Sequence, residues 1–248
     1  MVGPSAPVRT LRPMSLVTFK DLCVDATDAA ALGAFWARTL GLRAEPLDGG
    51  DVVLRDPGPA PVRERTIWVN TVPEARTVKH RVHPDVRARS LDEFPDRPRL
   101  TEPGRFHYTT LADPEGGELC VFTTDEPQSY RLKDVVVDCA DYRKVAAFWH
   151  EALGGTLTQD DAEGYAYLDE GAGVPFESFD FVPVPEPKTV KNRWHWDVTL
   201  NDGVTLDDLV ARGARVLRPQ DDEIGWTVMA DPEGNEFCVF PLVEPLVG

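Results

Sequence analysis

Basic residues are scarce in this sequence. Lys and Arg together number 26 against 42 Asp and Glu, which gives the 248 residues a formal net charge of −16. Such an acidic surface repels nucleic-acid phosphates and anionic lipid head groups, so we expect neither nucleic acid nor membrane as a partner. No apolar run approaches the roughly 18 consecutive residues of a transmembrane helix. The overall balance, 42% hydrophobic and 27% charged, is typical of a globular protein.

Cysteine is also scarce. Cys23, Cys120, Cys139 and Cys238 include no CxxC pair and are too few for a disulfide framework. We therefore expect reduced thiols in a cytoplasmic protein. Residues 1–15 lack the apolar segment of a signal peptide, and we expect them to form a flexible tail.

Three blocks of the first half recur in the same order in the second half. The matched pairs are 20–25 with 133–138, 77–86 with 189–198, and 112–122 with 230–240. Colinear repeats of this kind indicate a duplicated domain. The sequence thus predicts two homologous domains, 16–125 and 130–245, joined by a polar linker that contains proline.

Each half begins with a predicted strand followed by a helix. Asp28 and Asp141 are suitable N-cap residues, and Gly41 and Gly154 suit the position after a helix end. Between them, apolar residues recur at i, i+3, i+4, i+7 and i+8, the stripe of a helix that packs on a sheet. Further strands are predicted at 51–55, 66–71, 81–86, 164–168, 178–184 and 192–200. A second helix is predicted at 205–212, and a hairpin at 226–230 and 236–240.

The first half lacks a clear counterpart of the second helix. Residues 87–105 are rich in Arg and Pro, so we expect the helix to be degenerate there.

The order of elements resembles that of the vicinal oxygen chelate superfamily, which includes glyoxalase I, extradiol dioxygenases and bleomycin-resistance proteins. The Phe-Trp pair on the first helix and the Asp-Pro-Glu-Gly turn before the last strand carry the resemblance. The Lys-x-Arg-x-His-x-Asp strand is similar to that of the glyoxalase-like branch. The resemblance implies an α+β fold of tandem βαβββ modules, two of which curl into a half-barrel cup around a ligand. We expect each half to form one cup.

The resemblance also implies where metal ligands would lie, on the first, fifth and eighth strands of a cup. The matching positions are Asp21 and Asp134, then His83 and His195, then Cys120 and Cys238, with Glu118 and Glu236 two residues before the cysteines. Only the histidines keep the usual residue type. Asp, His and Cys can all bind a divalent ion. Because the departures are large, we expect no stoichiometric metal and no other cofactor, with a divalent ion as the alternative.

The alternation of side chains along a strand leads to a second hypothesis for the site, one that needs no metal. Residues 191, 193, 195 and 197 share one face of their strand. Asp197, and Asp134 from the first strand of the same half, would orient His195 as a general acid or base. Arg193 would hold an anionic or carbonyl group. Alternatively, the strand is a structural ion-pair ladder.

Further side chains are expected around His195. The ligand-binding candidates besides Arg193 are Trp226, Tyr165, Tyr167, Glu236 and Cys238, with core packing as the alternative for the aromatic residues and for cysteine. The first-half equivalents are Asp21, His83, Cys120 and Glu118. Pro84 follows His83 and interrupts its strand, so we expect the cup of His195 to be the working one.

Two functions fit this pattern. One is acid–base chemistry of the lyase or isomerase type on a small carbonyl- or enol-bearing compound, with activity that changes between about pH 5.5 and 7.5 as a histidine of ordinary pKa titrates. The other is sequestration of an aromatic or antibiotic-like compound without catalysis. The sequence leaves open whether the protein is an enzyme and whether it is a monomer or a homodimer.

Overall fold

The computed structural model of the chain describes residues 15–242. The predicted tail therefore lies outside the described residues except for Ser15, as do residues 243–245 of the second predicted domain. The described part contains fifteen strands and three α-helices. No helix within it combines the length and the apolar character needed to cross a membrane.

The elements fall into four modules. Module 1 comprises β1 (Val17–Ala26), α1 (Ala29–Leu40), β2 (Arg43–Pro46), β3 (Val52–Arg55) and β4 (Ile67–Thr71). Module 2 comprises β5 (Val82–Ala88), β6 (Thr109–Ala112) and β7 (Glu118–Thr123). Module 3 comprises β8 (Leu132–Cys139), α2 (Tyr142–Leu153), β9 (Thr156–Asp160), β10 (Tyr165–Asp169) and β11 (Ser178–Pro183). Module 4 comprises β12 (Trp194–Leu200), α3 (Leu206–Val210), β13 (Arg215–Arg218), β14 (Thr227–Ala230) and β15 (Glu236–Phe240).

The modules pair across the two halves. Modules 1 and 4 form sheet 1, with the strand order β13-β14-β15-β12-β1-β4-β3-β2. Modules 2 and 3 form sheet 2, with the order β6-β7-β5-β8-β11-β10-β9. The prediction that each half forms its own cup is therefore wrong. Because β5 and β12 are repeats of one another, either can pair with β1 or β8, and only the three-dimensional arrangement decides between them.

Two carboxylates accept backbone N–H groups at the N-terminus of each of the helices α1 and α2, one from the N-cap residue and one from a distant turn. Asp28 and Asp141 are the N-caps of α1 and α2, as predicted. The duplicated Asp-Pro-Glu-Gly turn adds a second cap, since Glu115 accepts the backbone N–H of Asp28 at 2.8 Å and Glu233 accepts that of Ala140 at 2.8 Å. Each of these glutamates belongs to one sheet and caps a helix packed on the other, so the turns tie the two sheets together.

Tryptophans fill the space between β12 and both helices. Trp194 packs on Trp36 of α1 with ring centres 5.1 Å apart, and Trp196 packs on Trp149 of α2 at 4.8 Å. All four are almost fully buried. Trp194 and Trp196 stand on either side of His195 along β12, so their side chains lie on the face of the strand opposite to His195 and in the core.

The sequence analysis did not predict three outer strands, β2, β9 and β13. These strands contain no buried residue and therefore lack clean apolar alternation. Module 2 has a single 3-10 turn, Leu91–Glu93, where a helix stands in the other modules. The predicted loss of that helix is confirmed.

Candidate functional site

Sheet 1 carries a cluster of polar side chains, here called the first centre, which consists of Asp21, Cys23, His195, Asp197 and Cys238. The register places Cys23 opposite His195, Asp21 opposite Asp197, and Asp197 opposite Cys238. Residues directly opposite each other point to the same face of a sheet. All five are buried, so three adjacent strands form one enclosed polar site.

Sheet 2 carries the equivalent cluster, here called the second centre, which consists of His83, Asp85, Cys120, Asp134 and Val136. His83 lies opposite Val136, Asp85 opposite Asp134, and Asp85 beside Cys120. The two centres are therefore built by the same strand pairings.

The centres differ at two positions. Cys23 corresponds to Val136. Trp68, beside Cys23 on β4, corresponds to Asp180, beside Val136 on β11. The indole N–H of Trp68 donates to Asp21 Oδ2 at 3.1 Å, whereas sheet 2 has a carboxyl group at that place.

Pairing across the halves separates residues that the sequence analysis grouped. Asp134 lies in the second centre, so its predicted position beside His195 is wrong and Asp21 takes its place. Tyr165 and Tyr167 lie on β10 of sheet 2 and are not in the cup of His195. Both errors have one cause, namely that the cups do not coincide with the sequence halves.

A β-bulge turns a lysine toward each centre. The pairing of β1 with β12 shifts at Lys20, and that of β8 with β5 skips Lys133. Lys20 Nζ lies 2.6 Å from Asp21 Oδ2 and 3.9 Å from Asp197 Oδ2, and Lys133 forms an ion pair with the adjacent aspartate. Strict alternation would send neighbouring residues to opposite faces, so the sequence pattern concealed both contacts.

The histidine of the first centre is only loosely associated with its aspartate. His195 Nε2 lies 4.0 Å from Asp197 Oδ1. His195 Nδ1, Asp197 Oδ1 and Asp21 Oδ1 are buried without a hydrogen-bond partner among residues 15–242. Burial lowers the pKa of His195 to about 4, so the predicted titration near the ordinary pKa is wrong. Burial and then the charge of Asp21 raise the pKa of Asp197 well above its usual range, which favours its protonated form.

The histidine of the second centre is paired. His83 Nε2 lies 3.4 Å from Asp85 Oδ1 and 3.7 Å from Cys120 Sγ. Burial acts against the charged imidazole, but the hydrogen bonds of Asp85 and Cys120 outweigh it and raise the pKa of His83 to about 10. His83 is therefore an imidazolium at neutral pH.

A hydroxyl group joins two carboxyl groups beside the second centre. Ser178 Oγ lies 2.6 Å from Asp180 Oδ1 and 3.0 Å from Asp134 Oδ1. Burial and then the charge of Asp134 raise the pKa of Asp180 to about 7. A protonated Asp180 can donate to Ser178, which in turn donates to Asp134. Sequence reasoning missed Ser178 and Asp180, because the register of their strand against β8 has no local signal.

Half-buried aromatic side chains surround both centres. Lys20 Nζ lies 4.1 Å from the ring centre of Phe240, on which Trp226 stacks at 5.3 Å. In sheet 2, Lys133 Nζ lies 4.8 Å from the ring centre of Phe122. Trp226 is therefore in the cup of His195, as expected. The corresponding surroundings of the second centre include Tyr108, Tyr165 and Tyr167.

Comparison with known proteins identifies the family. The family profile described as the glyoxalase-like domain matches residues 21–122 and, separately, 134–240. The chain belongs to the glyoxalase-like domain family. This confirms the resemblance inferred from the repeated motifs. No curated protein matches this glyoxalase-like chain.

Solved structures show the same fold at low sequence identity. Glyoxalase I from Zea mays is 13% identical, with a TM-score of 0.65 over 90% of this chain and 92% of that chain. A candidate dioxygenase from Bacillus subtilis is 14% identical, with a TM-score of 0.60 over 92% and 86%. The cppA protein from Streptococcus pneumoniae is 13% identical, with a TM-score of 0.52 over 91% and 100%. These likenesses establish the vicinal oxygen chelate fold of tandem α+β modules for the glyoxalase-like chain.

Two glutamates proposed for the site hold loops instead. Glu236 accepts Lys188 Nζ at 2.7 Å, and Glu118 accepts the backbone N–H of His80 at 3.0 Å. Glu118 and Glu236 are the first residues of β7 and β15, and each holds the loop that precedes β5 or β12, the strands that carry His83 and His195. The glyoxalase-like protein therefore has neither glutamate within its two centres.

Arg193 also lies outside both centres. Its Nη2 donates to the backbone carbonyl of Glu74 in the other half. Lys191, two residues earlier, pairs with Asp25 at 2.6 Å. The ion-pair alternative thus describes Lys191, and Arg193 contacts a loop rather than the surroundings of His195.

The thiols of the first centre are protonated. Burial, followed by the charge of Asp197, raises the pKa of both Cys23 and Cys238. A nucleophilic cysteine needs a lowered pKa. The expectation that Cys238 behaves as a small buried side chain agrees with this environment.

Each centre contains three side chains that can ligate a metal. The two sets are Cys23, His195 and Asp197, and His83, Asp85 and Cys120, and the ligand atoms of each set lie within 4.8 Å of one another. Each centre has buried ligand atoms without a hydrogen-bond partner among residues 15–242, namely His195 Nδ1 and Asp197 Oδ1 in the first and His83 Nδ1 and Asp85 Oδ1 in the second, so both sets fit a three-ligand zinc site. An ion at the second centre would have to replace the contacts of His83 Nε2 with Asp85 and Cys120, so we expect tighter binding at the first centre, where His195 Nε2 lies 4.0 Å from Asp197 Oδ1.

Proposed function

We propose that this glyoxalase-like protein binds a small carbonyl- or enol-bearing molecule over the first centre, where His195 transfers a proton. The observation behind the proposal is the buried imidazole of His195, whose pKa burial lowers to about 4 and whose Nδ1 has no hydrogen-bond partner among residues 15–242. A neutral imidazole accepts a proton, and the neighbouring carboxyl groups of Asp21 and Asp197 stabilise the imidazolium that results. The reaction class is that of a lyase or isomerase.

The surroundings of His195 supply the other parts of such a site. Trp68, Trp226 and Phe240 are half-buried and offer flat apolar surfaces to a small molecule. The ammonium group of Lys20, whose side chain is 31% exposed, lies 2.6 Å from Asp21 and can stabilise an enolate oxygen. In this proposal Lys20 takes the role that the sequence analysis gave to Arg193.

A second candidate uses the same centre with a divalent ion. Cys23, His195 and Asp197 would hold it, and when bound it would polarise a ligand oxygen. The observation in favour is the set of buried, unpartnered nitrogen and oxygen atoms. The earlier expectation of no metal rested on Asp21 and Cys238 and did not count Cys23 as a donor.

Sequestration without catalysis is the alternative outcome. Aromatic side chains surround both centres, and such cups can retain an aromatic or antibiotic-like compound unchanged, as a resistance protein would. A cytoplasmic location and a monomeric or homodimeric state stay predictions.

Solvent proton exchange tests the proposal. The protein is incubated in D2O with a panel of small 2-oxo and 1,3-dicarbonyl compounds, and deuterium uptake at the carbon next to the carbonyl is followed by NMR. We expect exchange to fall at least about 100-fold in His195→Gln and to change only a few-fold in His83→Gln. Equal losses in the two variants contradict the role of His195. Saturable binding without exchange supports sequestration.

A further inference from the structure

A cavity of about 1070 Å³ lies between the two halves of the chain. Its walls come from the repeated loops 72–81 and 184–193, together with Asp25 and Asp138. None of the residues that line it belongs to either centre. Pockets for small organic ligands typically measure about 300–1,000 Å³, so this cavity is large enough for one.

Much of the cavity wall is apolar. Val78 and Val190 are equivalent residues of the two loops, and each is 42% exposed. Pro73 and Pro187 lie on the same walls. Exposed valines on facing loops provide a surface for the apolar body of a ligand.

All but one of the cationic side chains that line the cavity form an ion pair with a carboxylate. Five cationic side chains line it, namely Arg76, Lys79, Arg81, Lys191 and Arg193. The first four pair with Glu118, Asp138, Glu233 and Asp25, respectively. Among the residues that the structure describes, Arg193 has no carboxylate partner, and its one hydrogen bond goes to the carbonyl of Glu74.

Arg81 is the counterpart of Arg193 in the first half, and the two arginines make the same hydrogen bond but differ in their ion pairs. Arg81 Nη1 donates to the carbonyl of Glu186 at 2.7 Å, the counterpart of the bond from Arg193 to Glu74. Both arginines therefore fasten the loop of the other half. Only Arg81 also has a carboxylate nearby, since its Nη2 lies 3.7 Å from Glu233. Arg193 is thus a half-buried positive charge without an ion pair among the described residues, and neither Glu74 nor Glu186, which also line the cavity, pairs with it.

We propose that this cavity binds an amphipathic organic anion. Its carboxylate or sulfonate group pairs with the free donors of the Arg193 guanidinium, which has five donors and uses one for Glu74. Its apolar body lies against Val78 and Val190. The cavity is a site separate from the first centre and does not depend on the chemistry of His195.

The test uses two fluorescent probes that share an apolar body and differ in charge. The anionic probe is 1-anilinonaphthalene-8-sulfonate, and the uncharged one is N-phenyl-1-naphthylamine. We expect the folded protein to bind the anionic probe, Arg193→Gln to weaken this binding at least about tenfold, and Arg193→Lys to weaken it less, because lysine keeps the charge but not the paired donors of the guanidinium group. No binding to the wild-type protein, or equal binding of the uncharged probe, overturns the proposal.

A matched pair of valine variants keeps the test valid if Arg193→Gln fails to fold. Val78→Glu places a negative charge on the cavity wall, and Val216→Glu places one on edge strand β13, where Val216 is 45% exposed. We expect Val78→Glu to abolish binding of the anionic probe and Val216→Glu to leave it unchanged, with both variants folded by circular dichroism. If Val78→Glu binds the probe like the wild type, the probe lies in the aromatic cups and the proposal is wrong.

Discussion

The first and second centres contain the same histidine, aspartates and cysteine at equivalent positions, yet their histidines differ in charge. His83 lies 3.4 Å from Asp85 and has a pKa of about 10, whereas His195 lies 4.0 Å from Asp197 and has a pKa of about 4. Shared residue types therefore do not imply shared chemistry.

The carboxyl groups around each histidine account for the difference. In the second centre, Asp85 and Cys120 lie 3.4 Å and 3.7 Å from His83 Nε2, and their contacts stabilise the imidazolium against burial. In the first centre, the nearby charge of Asp21 adds to burial in raising the pKa of Asp197, which lies 4.0 Å from His195 Nε2 and is a weaker counter-ion. Burial then favours the neutral imidazole.

The largest expected difference between the centres is in stability. Asp85→Asn leaves the imidazolium of His83 buried without its partner and should lower the free energy of unfolding by about 3–5 kcal/mol. The raised pKa of Asp197 favours its neutral form, so Asp197→Asn, which places a neutral group of similar shape there, should cost less than about 1 kcal/mol. Urea denaturation measures both. Equal losses contradict the assigned charges.

The pH dependence of stability sharpens the same contrast. The folded-state pKa of His83 lies above its unfolded-state value, so its contribution is fully present below about pH 6.5 and is lost as the pH rises toward about 10. We expect a loss of roughly 3 kcal/mol between pH 6.5 and 9. The matched variant His83→Gln should remove this slope, and denaturation curves at several pH values test it. A slope that persists in the variant comes from another group.

Zinc should distinguish the centres by stoichiometry. We expect the chelator-treated protein to bind one zinc ion per chain, measured by calorimetry and mass spectrometry. Cys23→Ala should weaken binding at least about 100-fold, and Cys120→Ala should leave it unchanged. Two ions per chain, or a loss with Cys120→Ala, would show that the second centre also binds metal. If the protein binds no zinc, the first centre does not use a metal and the metal-free proposal stands.

The smallest expected effect concerns a feature in which the halves are alike. Glu115→Gln and Glu233→Gln each weaken a helix cap, and each should reduce the free energy of unfolding by about 1 kcal/mol. Thermal denaturation of the two variants should give similar shifts. Clearly unequal shifts would mean that the asymmetry extends beyond the centres.

Several features of the protein follow from its sequence because their causes are local. The capping aspartates Asp28 and Asp141, the apolar stripes and the Asp-Pro-Glu-Gly turns act over a few residues, so helices α1 and α2 and the hairpin of β14 and β15 are correctly predicted. The repeat and the motifs also led to the correct family. The alignment of the repeated blocks with the family pattern also singled out His83 and His195, each of which lies in a buried polar centre.

The tertiary structure alone decided which residues meet and in which charge state. Pairing across the halves moved Asp134 away from His195, because repeated strands carry equal local signals for either partner. The bulges at Lys20 and Lys133 brought each lysine to the aspartate that follows it, a contact that regular alternation along a strand would not allow. The protonation of each histidine depends on burial and on carboxyl groups from other strands. Such interactions act through space over several ångströms, and no local sequence pattern encodes them.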